Sequence, residues 1–299
     1  MSPHAAFRQW RTHLATDIDR LRGFPELRKK FKSINGYDLN LDDPKTLNEK
    51  IQWRKVYDKN PLFPVLLDKV RMGDWARSKL PAEDHANLPV FLQVAQSADE
   101  IDFSALPENL ALKCNHASGW NILLRAGDPY DPIAVRQRLD RWLARKFGKT
   151  PVLHEYGYLS IPPRIAVQAL LQKADGSMAD DIRFHMFGDR PGFLRFESFE
   201  SGTTRPRTYL DENWQPLDVD SSVPPHAEVP KKPDEFDAML RIAKRLGHEL
   251  DYLRIDFLSA GNAFFLNELT LFNGSGFSTF QPQSFERNLG AMWTLPNRA

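Results

Sequence analysis

The clearest alternation of apolar and polar positions lies near the C-terminus. Tyr252-Leu-Arg-Ile-Asp-Phe-Leu258 and Ala263-Phe-Phe-Leu-Asn-Glu-Leu-Thr270 have strand character and are separated by Ser-Ala-Gly-Asn, a turn sequence. Alternate side chains share a face in a strand, so Arg254 points with Asp256 and Glu268 with Thr270. With the turn centred near Gly261 and Asn262, Asp256 and Glu268 meet across the hairpin. Two readings fit: unrelated acids on a solvated face, or an all-oxygen Mg2+ site.

Earlier stretches alternate with helical period. Residues Ala5 to Phe31 predict a helical pair broken at Gly23-Phe-Pro25. Thr46-Leu-Asn-Glu49 is a capping box opening a helix with Ile51, Trp53 and Val56, ended by Asn60-Pro61. A further helix carries Leu66, Leu67, Val70, Trp75 and Ala76, with Asp68-Lys69 near its start. Strands are expected at Leu88–Ala95, Leu110–Asn115, Ile122–Leu124, Arg164–Leu171, Asp181–Phe187 and Phe193–Phe199. Asp131-Pro132 starts an amphipathic helix with Ile133, Val135, Leu139, Trp142 and Leu143 inward, and Asp234–Leu246 another with Phe236, Met239, Leu240, Ile242 and Ala243 inward. A short helix with Leu289 closes the chain. The polar segment Ser201–Arg207 reads as a mobile, solvated loop, with an acidic substrate as the alternative partner for Arg205 and Arg207.

Composition narrows the class. With 299 residues and 20 phenylalanines, the chain can build a substantial core. A net charge of +1 argues against a protein that coats nucleic acid. The single cysteine, Cys114, excludes an internal disulfide framework and fits a reducing compartment. No run is long and apolar enough to span a bilayer, and no secretory leader is evident. A cytoplasmic protein is expected, with peripheral contact to the inner face of the membrane left open. The basic stretch from Arg8 to Lys32 fits a solvated helical pair or a surface for an anionic polymer or membrane.

Lys113 ends a strand and is followed by the small-residue loop Asn115–Asn121, which can offer backbone N–H groups and a cation to phosphates. It is not a P-loop, since no Gly-Lys-Ser/Thr follows. His116 in that loop reads as a substrate contact or a hydrogen-bonding turn residue. No Ser-His-Asp set, cysteine nucleophile or zinc spacing is evident.

The order Lys69, Lys113, Gln168, Arg183, Arg254-x-Asp256, Glu268-x-Thr270 resembles the ATP-grasp superfamily, and more closely its TupA-like family. The strings that carry the resemblance are Leu47-Asn-Glu-Lys-Ile-Gln-Trp-Arg54, Asp68-Lys69, Leu112-Lys-Cys-Asn-His116 with Ser118-Gly119, Asp181-Ile-Arg-Phe184, Arg254-Ile-Asp256 and Asn267-Glu-Leu-Thr270. It runs from about Thr46 to the C-terminus.

The resemblance implies an α+β ATP-grasp fold, with two lobes holding ATP and a helical N-terminal region. The expected division is 1–60 helical, 61–165 first lobe, 166–299 second lobe. Lys69 and Lys113 would reach the phosphates, and the loop with His116, Ser118 and Gly119 would cover them. Gln168, where many relatives have glutamate, would stand beside the adenine hinge Ala169, Leu170 and Leu171. Arg183 replaces a customary lysine. Asp256, Glu268 and Thr270 would hold Mg2+, with Asn273 as a substitute for Thr270.

The implied function is an ATP-dependent carboxylate–amine ligase acting through an acylphosphate. Arg254, Lys113 and Arg183 would be the catalytic cations. The substrates would be a carboxylate, a sugar acid or amino acid bound for a bacterial surface polysaccharide, and an amine. The alternatives are a kinase or glycosyltransferase-type enzyme of the same pathway, or a nucleotide-binding module without catalysis.

Overall fold

The structure is a computed structural model that describes residues 3–198 and 205–298, with the side chains of residues 3–6 and 8 outside the description. Helices α1 (Pro3–Leu21), α2 (Pro25–Asn35), α3 (Leu47–Tyr57), α4 (Phe63–Leu67) and α5 (Arg71–Lys79) precede strands β1 (Gln93–Ala95), β2 (Leu110–Cys114) and β3 (Asn121–Leu124). Helix α6 (Pro132–Leu143) leads to β4 (Ile165–Ala169), β5 (Asp180–Phe187), β6 (Arg190–Glu197) and β7 (Arg207–Leu210). Helix α7 (Phe236–Gly247), the strands β8 (Leu253–Ser259) and β9 (Phe264–Thr270), and α8 (Gln283–Met292) follow. Two compact units emerge, each assembled from separated segments.

The first unit comprises residues 1–38, 60–72 and 90–170. Its four-stranded antiparallel sheet has the order β1-β4-β2-β3. Leu110, Leu112 and Cys114 of β2 and Ile165 and Val167 of β4 pack against Val135 and Leu139 of α6. Asp131 caps α6 by accepting from the Ile133 N–H at 2.9 Å, with Pro132 at the first helical position.

Three expectations are corrected here. Ile133, expected inward, is exposed in the first turn of α6, where Val135 and Leu139 are buried and Trp142 and Leu143 pack partly buried beside them. The strand expected over Leu88–Ala95 survives only as β1, because Pro89 offers no N–H and Val90 and Leu92 are exposed. The single helix expected after Pro61 is two helices. The Asp68 carboxylate accepts from the Val70 N–H at 2.9 Å and the Arg71 N–H at 3.4 Å, so it ends one helix and starts the next.

The second unit comprises residues 39–59, 73–89 and 171–299. Its five-stranded antiparallel sheet has the order β7-β6-β5-β8-β9. Ile182, Phe184, Met186, Leu194, Phe196, Ile255 and Phe257 alternate onto one face. Phe236, Met239, Ile242, Ala243 and Leu246 form the buried stripe of α7, which packs on β5, β6 and β8. Burying each such large side chain contributes about 1.5–3 kcal/mol. At Gly247 a Cβ would lie 2.5 Å from the Gly188 carbonyl oxygen, so only glycine lets α7 end against the β5–β6 turn.

Candidate active site

The opposite face of the second sheet is charged, and its register follows from the alternation. One row runs Tyr209–Arg195–Arg183–Asp256–Glu268 across the five strands. The rows on either side are Arg207–Glu197–Asp181–Leu258 and Phe193–His185–Arg254–Thr270. Asp256 does stand opposite Glu268, and a register shift just beyond it gives β9 one extra residue.

Arginines and acids interlock on this face. Arg254 donates to both carboxylate oxygens of Asp256, at 2.7 and 2.6 Å, and from Nη1 to Asn273 Oδ1 at 2.9 Å. Its Nη2 lies 3.9 Å from Glu268. Arg183 forks onto Asp181 at 3.0 and 2.6 Å, and its Nε lies 3.6 Å from Asp256. Glu197 gathers Arg207 at 2.6 Å, Arg195 at 3.1 Å and Arg183 at 3.4 Å. Forked guanidinium–carboxylate bonds of this kind combine strength with fixed orientation.

Burial sets the electrostatics. It pushes the Asp256 carboxyl upward, against the pull of Arg254 and Arg183. Burial works against the Arg183 charge, but Asp181 and Asp256 outweigh it and hold the guanidinium protonated. His185, fully buried, is driven well below the ordinary histidine range by burial and then by Arg254 and Arg183, so it is neutral. Its Nδ1 lies 3.0 Å from the Tyr252 hydroxyl and its ring stacks on Phe193 at 3.9 Å.

Helix α3 supports this site from below the loop after β9. Its capping box forms as expected: Thr46 Oγ1 accepts from the Glu49 N–H at 3.2 Å while Glu49 Oε2 accepts from the Thr46 N–H at 3.0 Å. Unlike an ordinary amphipathic helix, α3 buries polar side chains too. Gln52 donates to the Ser275 and Gly276 carbonyls at 3.0 and 2.9 Å, and Lys55 to the Ser275 carbonyl at 2.9 Å. Arg54, 0% exposed, donates to the Tyr252 carbonyl at 2.8 Å, pairs with Asp251 and lies over the Trp293 ring. The string Asn48 to Arg54 thereby fixes the loop that carries Asn273.

In the first unit, Lys113 on β2 donates to Gln168 Oε1 on β4 at 2.9 Å. The register Lys113–Ala166 puts the two side chains on one face. Lys69 is buried and donates to the Ala117 carbonyl. Asn115 ties the loop down: it donates to Asp68 at 2.9 Å and the Pro162 carbonyl at 3.0 Å, and accepts from the Arg164 N–H at 2.7 Å. His116 is buried, with Nε2 donating to the Trp142 and Arg145 carbonyls at 3.3 and 3.2 Å, the geometry of a turn-anchoring residue. Burial lowers its pKa, opposed by those two bonds. Ser118 and Gly119 are exposed, and Gly119 has φ 72°. Ala169 is exposed, Leu170 donates its N–H to the Asn109 carbonyl at 3.1 Å, and Leu171 begins the second unit. Burial pushes the Cys114 thiol up to about 12, an inert core residue.

Sequence reading missed part of the network. Asp181 was visible within the Asp-Ile-Arg string, but Arg195 and Glu197 lie on β6, whose polar positions needed the register to acquire meaning. Arg207 is corrected: it is the first residue of β7 and half-buried on Glu197, not part of a solvated loop. Arg205 is exposed, while Phe199, the expected end of the preceding strand, and Ser201 to Thr204 of the loop lie outside the described residues.

The donors at the hairpin suit Mg2+. Asp256 and Glu268 face each other, and Thr270 Oγ1 in the adjacent row is buried without a hydrogen-bond partner. Among the described residues no cluster of three His, Cys, Asp or Glu stands ready for a metal. Two carboxylates with a hydroxyl or the Asn273 amide oxygen are the kind of donors that suit an ion which retains water and shares ligands with phosphates, although Asp256 and Asn273 here accept from Arg254.

Residues 49–294 match the TupA-like ATPgrasp family. Comparison with curated proteins gave no match. Among solved structures, the ATP-grasp ligase PsnB complexed with minimal precursor is similar at 16% identity, with TM-score 0.39, over 77% of this chain and 61% of that one. The D-alanine–D-alanine ligase of Bacillus anthracis complexed with ATP is similar at 14% identity, with TM-score 0.44, over 77% and 65%. A RiPP-associated ATP-grasp ligase of Chryseobacterium gregarium, in complex with ADP and a leader and core peptide, is similar at 10% identity, with TM-score 0.40, over 82% and 65%. This chain thus spans less than two thirds of each of these proteins.

Proposed function

The chain belongs to the TupA-like ATP-grasp family and has its α+β fold, and from that premise we propose that it is an ATP-dependent carboxylate–amine ligase. The observation that carries the reading is Arg254, bonded to Asp256 and Asn273 and neighbouring Glu268 on a single buried sheet face. A phosphoryl-transfer site needs positioned charge above all, and this face concentrates it.

In the proposed reaction a substrate carboxylate oxygen attacks the γ-phosphorus of ATP, the bond to the bridging oxygen breaks, and ADP leaves. The resulting acylphosphate is attacked at its carbonyl by an amine, which loses a proton as phosphate departs. Arg254 and Arg183 orient the carboxylate and stabilise charge on the transferring group; one such donor is worth on the order of 3 kcal/mol. Lys69 and Lys113 would bind phosphate oxygens, with the loop at Ser118 and Gly119 offering backbone N–H groups. His116 would act by holding that loop. Gln168 would orient Lys113, and Ala169 to Leu171 would supply main-chain recognition of adenine. Asp256 and Glu268, with Thr270 or Asn273, would hold Mg2+, which when bound neutralises phosphate charge. The acid is proposed to be a sugar acid or amino acid destined for a bacterial surface polysaccharide.

Incubation with MgATP and panels of acids, with and without amines, tests the reading. ADP release requiring both substrates, with an amide detected by mass spectrometry, is the expected result. A phosphorylated product formed without amine would replace it with a kinase, and nucleotide binding without turnover under every pairing with a non-catalytic module.

A further inference from the structure

Helix α1 is polar toward its own unit and apolar toward solvent. Thr16 and Asp19 are buried; Asp19 accepts from the Glu26 N–H at 2.7 Å and lies 2.9 Å from His154 Nε2. On the other side Phe7, Trp10, Leu14, Ile18 and Leu21 recur at intervals of three and four and are all exposed, Trp10 by 59% and Leu21 by 87%. This spacing makes one continuous stripe. The Phe7 and Trp10 rings stack at 5.9 Å at its N-terminal end. An apolar stripe that faces away from the core is not a packing element of this unit.

The charge around the stripe is of one dominant sign. Arg11, Arg20 and Arg22 are exposed on and just after α1, and Lys29 and Lys30 on α2. Lys149 pairs with Asp17 at 3.0 Å, and with Lys146 it depresses the pKa of His13 after burial does, so more cations flank the same helix. The acids of α1 are engaged, Asp17 with Lys149 and Asp19 with His154, leaving Glu26 as the exposed acid of the first turn of α2.

We propose that α1 lies in the interface of an anionic lipid bilayer, its stripe from Phe7 to Leu21 in the acyl boundary and the surrounding arginines and lysines on the headgroups. An amphipathic helix with aromatic residues on one side and cations beside them binds this way. No helix among the described residues is long and apolar enough to cross a membrane, so α1 lies along the surface. A second copy of the chain would bring the same cations against one another, and a soluble polyanion would leave the stripe in water. The inference is independent of the ligase reading.

The full chain is sedimented with vesicles of phosphatidylcholine alone or with about one third phosphatidylglycerol. The expected result is at least tenfold greater partitioning to the anionic vesicles, weakened by salt as the Debye length shortens. Trp10→Ser with Leu14→Ser should reduce it roughly tenfold or more, and Arg11→Glu, Lys29→Glu and Lys30→Glu should each reduce it about fivefold or more. These residues are exposed, so an unchanged thermal midpoint confirms that the variants fold. Equal partitioning to both vesicles, or full binding by the double serine variant, overturns the proposal. So does a dimer in sedimentation equilibrium that the same variant dissolves, which would make a second copy the occupant. Binding to soluble polyphosphate that survives the serine substitutions and matches the vesicles in strength overturns it in favour of a polyanion.

Discussion

Asp256 stands directly opposite Glu268 across the β8–β9 hairpin, and the guanidinium of Arg254 is bonded to the first and 3.9 Å from the second. Two carboxylates on adjacent strands thus share a neighbouring cation. Replacing Glu268, whose side chain is 23% exposed, should leave the fold intact while removing a proposed metal donor. We expect Glu268→Gln to lower ADP release by about 100-fold or more, an effect of the size seen when a transition-state charge is lost. Unchanged turnover at saturating Mg2+ would sink the metal assignment.

Arg254 is a different case, because it is buried and satisfies a buried acid. Arg254→Met strands Asp256 and should destabilise the protein by about 3–5 kcal/mol, read by urea denaturation. The companion variant Arg254→Met with Asp256→Leu removes both charges and should recover much of that loss without recovering activity.

Lys113 and Gln168 share one hydrogen bond at the surface of the first sheet. Lys113→Met should weaken nucleotide binding by roughly tenfold while changing stability by about 2 kcal/mol or less, since the side chain is only half-buried and water can replace its partners. Calorimetric titration with ADP measures the first and thermal unfolding the second; a stability loss with unaltered affinity would make Lys113 a purely structural residue.

Asn115 is placed to affect the loop without touching a ligand. Its side chain serves Asp68, the Pro162 carbonyl and the Arg164 N–H at once. Asn115→Ala removes three hydrogen bonds made by one fully buried side chain, at a cost of about 2–4 kcal/mol. Hydrogen exchange should accelerate at Ala117 to Trp120 more than in β2, and uniform acceleration would contradict the buttress role.

The contribution of two buried histidines to the pH dependence of stability has a definite sign, opposite to that of the upward-shifted Asp256 carboxyl. His116 and His185 are both depressed by burial in the folded chain, so the unfolded chain binds their protons first as pH falls. Their stabilising contribution is complete above the ordinary histidine value of about 6.5 and is lost as pH drops below it toward their folded values. Each should contribute a slope of up to about 1.4 kcal/mol per pH unit there. Urea titrations from pH 7.5 down to about 5.5 check this, and His185→Gln should flatten the curve. Identical curves for the wild type and His185→Gln would be incompatible with a neutral buried imidazole at that position.

The second sheet was readable because its strands announce both faces. Ile182, Phe184, Ile255 and Phe257 alternate with Asp181, Arg183, Arg254 and Asp256, and the alternation survives whatever the partners are. The hairpin register followed from a turn containing Gly261, which adopts φ 90°. What could not be read was pairing between distant strands: Glu197 acquires its three arginines only when β7, β6 and β5 align. Helix α3 hid its role for another reason. Asn48, Gln52 and Lys55 look like a solvated side until the loop from Ser275 to Ser278 is folded over them. The inverted polarity of α1 was equally invisible, because periodicity marks a stripe without telling which way it faces.

The interlocking of Arg183, Arg195, Arg207 and Arg254 with Asp181, Glu197, Asp256 and Glu268 carries a thermodynamic consequence. In the proposed function, a polyphosphate arriving alone would compete with resident carboxylates for guanidinium groups, and a divalent ion arriving alone would compete with guanidinium groups for carboxylates. Arriving together, each frees the partner that the other needs. The two ligands should therefore bind with positive heterotropic coupling, and by reciprocity each should raise the affinity of the other by the same factor.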